Sequence, residues 1–251
     1  MNPTTTSLTY GAYLRLPQLL GQQVPLATAA HDEHLFITVH QVHELWFKQL
    51  LVELTDARDR MLAGENAVAV RRLRRCHEIE RALLGTLEPL DTMAPRDFRE
   101  FRGALGTASG GQSAQFHEIE ALSGHRDRDH ARRDRRRRMR WLTGSERARL
   151  DLRLLEPTLW DGFLAALSAA GPPYADRAAA LRGEGPLGEL ADALLGHDEG
   201  WARWRERHVR VVERQIGGER GTAGSSGAAY LRGRNEERFF PELWEARGAV
   251  L

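Results

Sequence analysis

Cysteine occurs once in this chain of 251 residues, at Cys76. A single thiol excludes an intrachain disulfide and a thiolate-held metal cluster. Lysine is just as scarce: Lys48 stands alone, and arginine carries the remaining positive charge. Acidic residues balance it to a formal +1, so no bulk field favours a polyanion, and no nucleic-acid partner is expected. No apolar run approaches membrane-spanning length, so no membrane span is expected. The first residues, MNPTTTSLTYGAYLRLPQ, lack the basic start and apolar centre of a secretory signal, and a soluble cytoplasmic protein is the expectation. HExxH, CxxC, a P-loop and a GxSxG elbow are all missing, and no alternating run is long enough to build a sheet.

What the chain has instead is helical periodicity. With 41% hydrophobic residues it can bury one substantial core or two small ones. Leu35, Phe36, Val39, Val42, Leu45, Trp46, Leu50 and Leu54 recur at helical spacing and predict a long helix that ends near Gly64. A short segment at 10–20 precedes it, and a second helix is expected over 67–87. Pro95 suits the first turn of a third helix, and further helices are expected up to 122 and over 159–169. Pro172 and Pro173 mark a turn. The last long helical region, 187–216, contains Gly196 and Gly200, where a break is expected. Phe239 and Phe240 read as a buried aromatic pair. The architecture expected is an all-α helical bundle.

Several residues could carry chemistry. Phe36 and His40 are four apart, hence neighbours on one helix face, where a ring and an imidazole could floor a pocket for a flat ligand. His208 shares a face with Trp201 and Trp204, an arrangement that can present a neutral imidazole to haem iron. From spacing alone, a packed core histidine is the simpler reading of each. His40 and His43 could form a metal pair only with a carboxylate partner, and Glu44 points elsewhere. Two loops, GTASGGQS from Gly106 and GTAGSSG from Gly221, are rich in small residues that let backbone approach a ligand, or are simple connections. Arg102, one turn before the first loop, could hold a carboxylate through two parallel hydrogen bonds. The run at 125–140 (HRDRDHARRDRRRRMR) reads as a solvated charged segment.

Taken in order, these pieces resemble the tryptophan 2,3-dioxygenase family. The motifs are YGAYLRL from Tyr10, HDEHLFITVHQVHELWFKQLLVEL from His31, PRDFREFRGALGTASGGQSAQF from Pro95, WRERHVRVVERQIG from Trp204, then GTAGSSG and FFPELW. They span most of the chain except roughly 123–187. The resemblance implies one all-helical oxygenase domain over 1–251 that encloses a b-type haem, ferrous for activity, with O2 as co-substrate. It implies a homotetramer in which segment 1–28 packs on a neighbouring subunit and Tyr10 and Tyr13 reach that neighbour's pocket. His208 would be the proximal iron ligand, with Trp204 beside it on the haem side. His40 would lie distal and accept a hydrogen bond from the substrate indole N–H. Phe36, Phe98 and Leu105 would wall the indole. Arg102 would pair with the substrate carboxylate, and Thr222 would bind its ammonium and carboxylate end. Ser109 and Gly110 would lie over the haem. The implied activity is dioxygenation of the L-tryptophan C2–C3 bond to N-formylkynurenine, a reaction of the kynurenine pathway.

The chain departs from the family's pattern at four points. Gly111 stands where Phe is usual, His43 replaces a small or apolar residue, His117 replaces an Arg, and the second loop reads GTAG rather than GTGG. A missing phenylalanine beside the distal loop predicts a roomier pocket. The alternative reading is therefore a monooxygenase of secondary metabolism, acting on a substituted tryptophan such as methyltryptophan and giving a hydroxylated oxindole.

Overall fold

A computed structural model of the chain describes residues 7–124, 140–171 and 175–248. Among the described residues the secondary structure is helical, without strands. The charged run over 125–139 and the Pro172–Pro173 turn lie outside them.

Two short helices, α1 (Tyr10–Tyr13) and α2 (Leu16–Leu19), lead to α3 (His31–Leu62). The approach is pinned by Glu33, whose carboxylate accepts the backbone N–H groups of Leu26 at 2.9 Å and Ala27 at 2.7 Å. Gly64, with φ +77°, turns the chain into α4 (Asn66–Leu87). Next come α5 (Pro95–Arg102), α6 (Ala114–Ser123), α7 (Gly144–Leu155) and α8 (Leu159–Ala169). The chain closes with α9 (Ala175–Leu181), α10 (Gly185–Ile216), α11 (Ala228–Arg232) and α12 (Pro241–Gly248). At 1.5 Å per residue, α3 and α10 are each about 48 Å long. Helix α4 packs against both, and α6 and α8 pack on α3. One apolar core runs from Ala30 to Leu243 and includes the Phe239–Phe240 pair.

Two expectations change. The buried stripe of α3 runs through Val39, His43, Phe47, Leu50, Leu54, Ala57 and Met61. Leu45 lies about 200° around the helix from His43 and is 51% exposed. The histidine, not the leucine, faces the core. Helix α10 is also continuous through Gly196 and Gly200. A Cβ on Gly196 would stand 2.6 Å from the His77 ring, and one on Gly200 would collide with the Glu80 carboxylate. The glycines are contact points that let α10 approach α4, and the helical hydrogen bonds carry on through them.

Polar groups seal the same contact. Burial raises the Glu80 carboxyl above its ordinary value, with His197 opposing that shift. The Glu80 carboxyl and His197 Nδ1 are 2.5 Å apart, and His197 Nε2 lies 2.8 Å from Ser123 Oγ. Ser123 in turn donates to the Ile119 carbonyl at 2.8 Å.

Helices α7 and α9 carry no expectation from the sequence. The first has a legible signal: Thr143 and Glu146 form a reciprocal capping box that marks its start.

Candidate active site

The site is built where the first half of α3, α5 and the last third of α10 meet. Phe36 and His40 sit one turn apart on α3, with ring centroids separated by 4.0 Å. Phe98 and Phe101 from α5 come up to Phe36 at 5.8 and 5.4 Å. Leu105, in the 3-10 turn that follows α5, packs at the edge of the core. Phe36 thus brings the His40 ring and the α5 rings Phe98 and Phe101 into one aromatic cluster.

The His40 tautomer follows from its surroundings. Nδ1 lies 2.7 Å from the Phe36 carbonyl, which can only accept, so Nδ1 carries the proton. Burial holds the ring below its ordinary pKa, against the Phe36 carbonyl and the charge of Glu44, so it is neutral near pH 7. Nε2 is then an acceptor, and no donor among the described residues uses it. His43 repeats the pattern one turn on. Its Nδ1 donates to the Val39 carbonyl at 2.8 Å, its Nε2 is buried with no partner, and burial lowers its pKa. Glu44 does not join them, because its carboxylate accepts from Gln115 Nε2 at 2.7 Å. No group of three metal-ligating side chains occurs among the described residues.

On α10, Trp204 and His208 lie one turn apart with parallel rings. Trp201 stacks on Trp204, and Phe116 and Phe47 close round the pair. His208 has no hydrogen-bond partner among the described residues. Burial, reinforced by His40 and His43, pushes its pKa down to about 4. A neutral imidazole oriented by stacking, with a ring nitrogen free to bind metal, is the form that can ligate iron. The buried Trp204 Nε1 and His43 Nε2 beside it also have no partner among the described residues. This donor set fits a haem held through His208.

The two small-residue loops, one after α5 and one after α10, are tied to each other. In the first, Ser109 Oγ accepts from the Gly111 N–H, and Gln112 Nε2 donates to the Thr107 carbonyl at 2.7 Å. His117 Nε2 donates to the Gly111 carbonyl at 3.1 Å, so His117 fixes this loop. A Cβ on Gly110 would meet nothing within 4 Å, and one on Gly111 only Ser109 Oγ at 3.8 Å. Both positions open onto free space. In the second loop, Thr222 Oγ1 donates to the Ala108 carbonyl at 2.5 Å and ties the loops together. Arg102 reaches the same loop. It pairs with Glu219 and donates to the Arg220 carbonyl at 2.6 Å.

Not every expected residue joins the cluster. Tyr10 and Tyr13 are 75% and 70% exposed on α1. One partner escaped the sequence reading: Glu219 sits in an irregular loop where no periodicity marks it. The sequence singles out His43 beside His40, but that it faces the core is legible only once the register of α3 is known.

The sequence model of the family described as tryptophan 2,3-dioxygenase matches residues 2–161 and 182–250. A protein named tryptophan 2,3-dioxygenase from Nocardioides sp. (strain ATCC BAA-499 / JS614) is 50% identical, covering 97% of this chain and 95% of its own length. Proteins of that name from Anaeromyxobacter sp. (strain K) and Herpetosiphon aurantiacus are 39% and 38% identical, covering 98% and 96% of this chain and 97% and 98% of their own lengths. A match along both halves of the sequence, with relatives that span nearly all of it, shows that the chain belongs to the tryptophan 2,3-dioxygenase family.

Proposed function

We propose that the protein is a haem-dependent dioxygenase that inserts both atoms of O2 across the indole C2–C3 bond of L-tryptophan, giving N-formylkynurenine. The observation that carries this reading is the Nε2 acceptor of neutral His40, used by no donor among the described residues, beside the cluster of Phe36, Phe98 and Phe101. An apolar slot with one inward acceptor suits a flat ring that bears a single N–H.

Haem held by His208 supplies the binding and activation of O2. The remaining roles belong to the chain. Trp204 holds the His208 ring in one orientation. His40 Nε2 accepts the indole N–H and so fixes which edge of the ring faces the haem; its role is orientation more than proton transfer. Phe36, Phe98 and Leu105 exclude water. Arg102 takes the substrate carboxylate, and Thr222 takes the ammonium and carboxylate end. Ser109 and Gly110 cover the haem, and the open space at Gly110 leaves room for them to do so. The exposed Tyr10 and Tyr13 are read as contributions to a neighbouring subunit's pocket in a homotetramer, through segment 1–28. No described helix is long and apolar enough to cross a membrane, and a cytoplasmic setting is proposed.

The test is mass spectrometry of the product from haem-loaded, reduced protein given O2 and L-tryptophan. Addition of two oxygen atoms is expected. Addition of one, or turnover of methyltryptophan alone, would overturn the dioxygenase reading.

A further inference from the structure

The carboxylate clamp is already engaged by the protein itself. One terminal nitrogen of Arg102 pairs with Glu219 Oε2, and the other donates to the Arg220 carbonyl at 2.6 Å. Both ends of the guanidinium fork are therefore taken. Glu219 also reaches the neighbouring guanidinium, Arg99, at 3.3 Å through Oε1. One internal carboxylate thus bridges two arginines on α5.

The loop holds Glu219 in place. Gly217 ends α10 with φ +56°, and the Glu219 N–H returns to the Ile216 carbonyl at 3.0 Å. At the far end, Gly227 (φ +64°) lies so close to the Glu219 carbonyl that any Cβ there would collide with it. The Gly221 N–H bonds the Ser225 carbonyl at 3.1 Å, and Thr222 ties the loop to Ala108. The loop is pinched at its base, and Glu219 projects from the pinch onto Arg102.

We propose that Glu219 is an internal competitor for the substrate carboxylate: it occupies Arg102 in the empty site and shifts onto Arg99 when an amino acid binds. This rests on the reading of Arg102 as the substrate's carboxylate partner. Two guanidiniums against one internal carboxylate leave one positive charge unmatched, and the incoming carboxylate neutralises it. Arg99 receives the displaced Glu219 without a new buried charge. Glu219 thereby lowers affinity for every carboxylate-bearing indole and leaves neutral-tailed indoles unaffected. It is a specificity residue that never touches the indole.

Calorimetric titration of haem-loaded protein with L-tryptophan and with tryptophol, whose tail is uncharged, tests this. Glu219→Gln should tighten L-tryptophan about three- to tenfold, the scale of one charge-assisted contact at a partly exposed site, and leave tryptophol unchanged. Glu219 is 49% exposed, so the substitution spares the core; Glu219→Ala provides a second variant with the same expected sign. Weaker L-tryptophan binding would overturn the proposal and make Glu219 a support for Arg102. Equal loss for both ligands would make it a loop anchor, and no change would remove it from the site. Arg102→Ala separates the two layers. Unchanged L-tryptophan affinity in that variant would reject the clamp itself, whereas weaker binding in it, together with no response of the otherwise unchanged chain to Glu219→Gln, would reject only the competition.

Discussion

Trp204 and His208 lie face to face on α10, with ring centroids 5.2 Å apart and planes 6° from parallel. The stack orients the imidazole without using either nitrogen. A ligating histidine needs its metal-facing nitrogen free, since a hydrogen bond there would compete with the metal. His208→Gly should therefore lose haem retention, seen as loss of the Soret band after gel filtration. Added imidazole, which can enter the vacated space, should restore part of the band. A normal band in the variant without imidazole would mean that the ligand is elsewhere.

The depressed pKa of His208 also makes a prediction for the haem-free chain. Its ordinary value of 6.5 falls to about 4 in the fold, chiefly because burial disfavours the cation. Between those values the unfolded chain binds more protons than the folded one, so stability rises with pH. It is fully present above about pH 6.5 and is lost as the pH falls toward 4. His40 and His43 shift in the same direction and steepen the loss. Each such group adds at most about 1.4 kcal/mol per pH unit in its window. Urea unfolding between pH 7 and 4 should show a shallower pH dependence in His208→Gln than in the parent. Identical slopes would contradict the assignment.

His40 is the residue whose role is most open to a chemical test. Its Nδ1 is committed to the Phe36 carbonyl, which leaves Nε2 as an acceptor for an indole N–H. His40→Ala should lower kcat/KM for L-tryptophan by about ten- to thirtyfold, the worth of one buried hydrogen bond. With 1-methyltryptophan, which has no N–H to donate, the same substitution should cost far less. Equal losses on both substrates would show that the imidazole fills space and does not read the N–H.

Much of this was legible from residue order. The 3.6-residue repeat on α3, Pro95 at the start of α5 and the Trp204–His208 spacing each state a local geometry that packing then preserves. Local rules failed where long-range contact decides. Leu45 and His43 are both compatible with a buried face until α4 and α10 select the register. Gly196 and Gly200 read as breakers because their partners, His77 and Glu80, lie more than a hundred residues away. Glu219 was invisible for the same reason, since only folding brings it to Arg102.

Those two glycines give the sharpest stability prediction. In an exposed helix, Gly→Ala stabilises by up to about 1 kcal/mol. At Gly200 the new methyl would meet the Glu80 carboxylate, which is buried and held to His197, so it cannot swing aside cheaply. Overpacking of that kind costs about 1–3 kcal/mol and should outweigh the propensity gain. Gly200→Ala should therefore lower Tm. Gly85, on the α4 helix that carries Glu80, is the matched control, because a Cβ there meets nothing within 4 Å. Gly85→Ala should leave Tm unchanged or raise it. Differential scanning fluorimetry of both variants checks the sign. If Gly200→Ala behaves like Gly85→Ala, α10 does not approach α4 as closely as the glycines allow, and the contact sealed by Glu80, His197 and Ser123 must be looser than described.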